Sequence, residues 1–252
     1  MRITGRASAL TLLALLAGPA AAGEVAVVTS DGVTLSVSDQ GQGEPVLLLH
    51  GLAASADLNW RAPGIIRALL GQGYRVIAPD ARGHGGSSSP ADGVYGARLV
   101  ADAVAVLDAL GVQRAHVVGY SMGGMTGLAL TARHPERVRS LVLGGMGWMR
   151  PGSRGQSLWT RLPGRGRGGP VGCAGTLGEL ALSEELVRGV MVPVTVIVGS
   201  LDPCRPLYVR PLQELRPDWP VHLVEGRGHL ACVAAPELRE GILAALEAAR
   251  LY

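Results

Sequence analysis

Ser121 lies in His116-Val117-Val118-Gly119-Tyr120-Ser121-Met122-Gly123-Gly124, where an apolar run meets a glycine-flanked turn and a helical pattern follows from Met122 to Arg133. The G-x-S-x-G spacing puts serine on a sharp strand-to-helix turn that bulk on either side would block. A hydroxyl raised there can serve as a nucleophile. The N-terminal N–H groups of the following helix point to where negative charge would develop. An alcohol also needs a base to take its proton and an acid to orient that base. With 37 glycines in 252 residues the pentapeptide alone is a weak signal, so the partners must come from elsewhere in the chain.

Six histidines are candidates for the base. His50 ends a buried strand pattern, His84 sits in a Gly-rich turn, His116 starts a strand, His134 precedes Pro135, and His222 lies within a strand. His229, in Gly226-Arg227-Gly228-His229, follows the last strand pattern and precedes the last helix. A loop leaving the C-terminal end of a parallel strand is where such sheets place active sites, so His229 is the expected base. The acid should stand on another loop of that edge. Gly144-Gly145-Met146 offers no carboxylate, whereas Gly199-Ser200-Leu201-Asp202-Pro203 offers Asp202 directly after a strand. Asp218, in a Pro-rich turn, is the rival.

The elements that must position these groups alternate. Val25 to Thr29 and Val33 to Val37 flank Ser30-Asp31-Gly32 as a hairpin. Pro45 to Leu49, Tyr74 to Ala78, Ser140 to Leu143, Val192 to Val198 and Val221 to Val224 read as further strands. Helices are expected over Ile65 to Leu70, Arg98 to Leu110 (closed by Gly111) and Pro236 to Ala249, with another helix at Glu179 to Val187. Strands alternating with helices imply a mostly parallel α/β sheet covered on both faces, within one domain over 23–252.

Every basic residue is arginine, phenylalanine is absent, and the formal charge is +3, which gives no case for nucleic-acid binding. The first 22 residues resemble an export signal: Arg2 and Arg6, an apolar run from Ala9 to Ala17, then Ala20-Ala21-Ala22. That run falls short of the about 20 residues a membrane span needs. A secreted or periplasmic protein is expected, with a retained N-terminal anchor as the alternative and no stable span after cleavage.

Five ordered motifs then carry a resemblance: His50-Gly51 after a buried strand, Asp80-x-Arg82-Gly83-His84-Gly85-x-Ser87, Gly119-x-Ser121-x-Gly123-Gly124, Gly199-x-x-Asp202, and Gly228-His229. The chain resembles the α/β-hydrolases over nearly its whole length after the leader. The resemblance implies an eight-stranded, mostly parallel sheet with helices on both faces and a catalytic triad of Ser121, Asp202 and His229. It also implies an oxyanion hole from the backbone N–H groups of Leu52 and Met122. His50, Gly51, Trp60 and Tyr120 are pocket candidates, and Trp60 fits a plain core role equally well. Serine at the elbow departs from the dehalogenases and epoxide hydrolases of this fold, which carry aspartate there. An exported enzyme cleaving carboxylic esters of a small-molecule acyl substrate is implied, with no metal and no organic cofactor. Cofactor-free haloperoxidases (perhydrolases) and lactonases share the motif, and a non-catalytic ligand-binding relative is the alternative from another class.

Two features stay open. The segment from Met146 to Thr176, part of an insertion at about 146–190, has five arginines, many glycines and no acid, and reads either as a lid or as a solvated loop. Cys204 lies two residues after Asp202 and Cys232 three after His229. A disulfide between them would be permitted after export, leaving Cys173 free; two unpaired thiols are the alternative.

Overall fold

The computed structural model describes residues 23–89, 94–162 and 170–250, with backbone only for 170–173. The leader therefore lies outside the described residues. Eight strands form one sheet: β1 (Gly23–Val28), β2 (Thr34–Gln40), β3 (Pro45–Leu49), β4 (Arg75–Pro79), β5 (Ala115–Tyr120), β6 (Val138–Gly144), β7 (Val194–Gly199) and β8 (Val221–Val224). Their order is β1-β2-β4-β3-β5-β6-β7-β8. The β1–β2 and β2–β4 pairs are antiparallel and all others are parallel. The expected hairpin turns at Gly32, whose φ of 81° a side chain would resist.

Register matters most for the site. Leu49 pairs with Gly119, Tyr120 with Gly144, Gly144 with Ile197, and Gly199 with Val224. The C-terminal ends of β3, β5, β6, β7 and β8 are thus level, and the loops carrying His50, Ser121, Asp202 and His229 leave the same edge.

The continuous apolar strands serve two cores. Leu47 and Leu49 face one layer while Val46 and Leu48 face the other; Val196 and Val198 oppose Ile197 in the same way. Period-two geometry thus turns an unbroken apolar run into two buried faces. The helices are α1 (Ile65–Gly71), α2 (Arg98–Ala109), α3 (Met122–Arg133), α4 (Arg154–Thr160), α5 (Glu184–Arg188), α6 (Arg210–Leu215), α7 (His229–Val233) and α8 (Pro236–Ala249). Buried residues of α2 and α3 belong to the first core, those of α1 and α8 to the second. Among the described residues, no helix is long and apolar enough to cross a membrane.

The expected helix from Glu179 to Val187 is not continuous. A 3-10 segment, Pro170–Leu180, precedes it, and α5 restarts at Glu184 because extended Ser183 caps it, its Oγ accepting from Leu186 N–H. The segment after β6 is also more ordered than a solvated loop. Met146, Trp148 and Met149 are buried in the first core. Trp148 Nε1 donates to the Leu182 carbonyl at 2.8 Å. Trp159 Nε1 donates to the Tyr208 hydroxyl at 2.9 Å, and that hydroxyl donates to the Gly155 carbonyl at 2.9 Å. For the described part of this segment the solvated-loop reading is therefore corrected: indole and phenol donors buried among apolar groups need fixed partners, and they find them.

Candidate active site

Sterics build the serine first. Ser121 links β5 to α3 at φ 54° and ψ −113°, outside the broadly allowed regions for a residue with a side chain. A Cβ on Gly119 would overlap the Gly123 carbonyl, and one on Gly123 would overlap the Leu49 carbonyl. Both glycines are therefore required by backbone contact. Among the described residues only one other non-glycine has a left-handed φ, Ala53 at 58°, two residues beyond Gly51. A Cβ on Gly51 would lie 3.4 Å from Ser121 Cβ, so the loop after β3 stands directly beside the serine.

Hydrogen bonds then build the acid–base limb. His229 Nε2 is 2.9 Å from Ser121 Oγ, and His229 Nδ1 is 2.8 Å from Asp202 Oδ2. An ionised carboxylate only accepts, so Nδ1 carries the proton and Nε2 presents its lone pair to the serine hydroxyl. The Asp202 side chain is fully buried while 22% of the His229 side chain is exposed. Asp202 Oδ1 accepts from Cys204 N–H at 2.8 Å, which fixes the carboxylate plane. Tyr120, under the imidazole with ring centroids 5.4 Å apart, donates its hydroxyl to the His229 carbonyl. Burial raises the Tyr120 pKa, keeping the phenol a donor.

Leu52 N–H and Met122 N–H donate to no acceptor among the described residues, although the adjacent Gly51 N–H is bound by Asn59 Oδ1 at 2.6 Å. Two unspent donors beside the serine are what an oxyanion requires. His50 is a strut for this loop. It is buried, its Nε2 accepts from Ala81 N–H at 2.9 Å, and its Nδ1 therefore donates to the Gly51 carbonyl at 2.8 Å. Burial lowers its pKa to about 4, so the ring is neutral at neutral pH. Asp80 joins the same support, accepting from Ala56 N–H and Gly86 N–H.

Two open readings narrow. Trp60 is fully buried and belongs with Ile65, Leu69 and Leu238 to the second core, the core role of its two readings. Cys204 and Cys232 are free thiols, the unpaired alternative to a disulfide. The Cys204 sulfur lies within 4.8 Å of an Asp202 carboxylate oxygen and a His229 ring nitrogen, and the Cys232 thiol is near the Tyr120 hydroxyl. Burial pushes the Cys204 thiol up to about 12, so it stays protonated. The side chain of Cys173 lies outside the described residues.

Residues 44–153 match the family described as alpha/beta hydrolase fold. The solved structure of a hydrolase from Pseudomonas aeruginosa superposes with a TM-score of 0.71 at 25% identity, covering 90% of this chain and 99% of that one. This protein has the α/β-hydrolase fold. A solved carboxylesterase of Nitrososphaera gargenis superposes with a TM-score of 0.73 at 20% identity, over 89% of this chain and 98% of its own. A 2-hydroxymuconate semialdehyde hydrolase of Pseudomonas putida is 45% identical over 139 residues, 54% of this chain and 49% of that protein. The chain thus spans about half the length of the curated relatives it matches. Within the α/β-hydrolase fold, Asn59, Cys204 and the Tyr120 hydroxyl are the site contacts that spacing alone did not reveal, because each depends on where a side chain points.

Proposed function

We propose that this protein is a serine hydrolase that cleaves carboxylic esters through an acyl-enzyme. The observation that carries the reading is the unbroken relay from Ser121 through His229 to Asp202. Ser121 Oγ attacks the carbonyl carbon as His229 Nε2 takes its proton, and Asp202 stabilises the imidazolium. The developing oxyanion is held by the N–H groups of Leu52 and Met122, each such donor contributing about 3 kcal/mol. The imidazolium then protonates the departing alcohol, and water repeats the attack on the acyl group. Export is part of the proposal and rests on the leader; fractionation with N-terminal sequencing of the mature chain tests it.

Labelling with a fluorophosphonate probe is the direct test of the serine. Wild type is expected to label and Ser121→Ala to stay dark, with its kcat lower by on the order of 10⁶ and its fold intact. A folded wild type that does not label would remove the enzyme reading. A panel of acyl chain lengths and leaving groups then sets the substrate. The likeness to the P. putida protein supports a second reading, so 2-hydroxymuconate semialdehyde belongs on that panel. Turnover of it without turnover of any ester would move the assignment there.

A further inference from the structure

We propose that Asp202, Cys204 and His229 bind a thiophilic divalent cation such as Zn²⁺ or Cd²⁺, and that the bound cation switches Ser121 off. The switch rests on the hydrolase reading; the binding does not. One carboxylate oxygen, one thiol sulfur and one imidazole nitrogen lie within 4.8 Å of one another, and among the described residues no other such trio comes this close. A tetrahedral zinc site spaces these ligand types roughly 3.3 to 3.6 Å apart, so the Nδ1–Asp202 pair must open from 2.8 Å while the sulfur, within 4.8 Å, closes in to complete three of its four positions, with water as the fourth. Sulfur, imidazole and carboxylate together suit zinc-like cations and disfavour Mg²⁺ and Ca²⁺, which seek oxygen.

The cluster is held by backbone. Cys204 N–H donates to Asp202 Oδ1 at 2.8 Å, which ties the carboxylate to the turn that carries the sulfur. Cys204 is half-buried and His229 part-exposed, so a cation can reach both from solvent. Binding balances as follows. The sulfur–metal bond forms as the thiol releases its proton to solvent, and the metal replaces the proton on Nδ1. That second proton is taken up at Nε2, so the imidazole stays neutral and one proton leaves per cation. The thiolate and carboxylate match the two positive charges. Nε2 now donates and no longer accepts, so it cannot take the Ser121 proton.

The test is a CdCl₂ titration of the full chain, read by the ultraviolet thiolate-to-cadmium absorption band and by proton release in weak buffer. Wild type is expected to take up one Cd²⁺ with one proton released, and Cys232→Ser and Cys173→Ser to do the same. Cys204→Ser and Cys204→Ala should lose the band and bind more weakly by more than the roughly 10–100-fold that loss of an outer partner costs. Ester turnover by wild type should fall with Cd²⁺ or Zn²⁺, recover with EDTA and ignore Mg²⁺. A band that survives in both Cys204 variants, or no uptake by wild type at millimolar Cd²⁺, overturns the proposal. An absence of ester turnover in the metal-free protein would instead sink the ester-hydrolase reading, leaving the absorption and proton measurements to decide the site.

Discussion

The nucleophile and the acid–base limb reach the same point by different means. Ser121 is held by backbone sterics, because glycine at 119 and 123 lets chain segments touch where a methyl group could not fit. His229 and Asp202 are held by side-chain and backbone hydrogen bonds, from Cys204 below the carboxylate and from Tyr120 to the His229 carbonyl. Steric control is all-or-none, while hydrogen-bond control is graded. The nucleophile should therefore fail abruptly on mutation and the limb by degrees.

Gly123→Ala sharpens the contrast most. Its methyl group would overlap the Leu49 carbonyl, so the variant should be insoluble or destabilised by more than about 4 kcal/mol in urea unfolding. A normal midpoint would refute the steric account.

The strut beneath the oxyanion loop comes next, through pH. His50 has a folded pKa of about 4 against 6.5 when unfolded, so the unfolded chain binds more protons in between. Its contribution is therefore present above pH 6.5 and is lost as pH falls toward 4, about 3 kcal/mol in all. Burial lowers His84 and His116 in the same direction. His50→Gln should flatten the slope of unfolding free energy against pH in this window by about one proton. An unchanged slope would remove His50 from the account.

On the graded limb, Tyr120→Phe leaves the His229 carbonyl without its donor. It should cost about 1–2 kcal/mol and lower kcat more than it raises KM, with the fold retained. A loss of activity as complete as that of Ser121→Ala would erase the distinction between the two regions. The smallest effect is a gain: Ser121→Gly relieves the positive φ and should unfold about 1 kcal/mol later than Ser121→Ala, with both inactive.

This division also explains what could be read from the chain. Ser121, Asp202 and His229 were legible because each follows a strand that can be recognised by its apolar run, and parallel strands deliver their loops to one edge. The elbow glycines were legible because their constraint is local. The segment after β6 was not, since its order comes from Trp148 reaching Leu182 and Trp159 reaching Tyr208, contacts between residues far apart in sequence. The cysteines stayed open between a bridge and free thiols for a related reason: their loops approach, and which way each thiol turns depends on contacts that spacing does not show.

The contact between Gly123 and the carbonyl end of β3 has a further consequence. Residues 49 and 123 are remote in sequence, so the close approach that shapes the elbow requires the β3–β5 pairing at the centre of the sheet. A chain that has not yet formed that pairing is expected to lack a poised serine. Reactivity toward a covalent probe would then appear late during refolding, as a timer for completion of the central sheet.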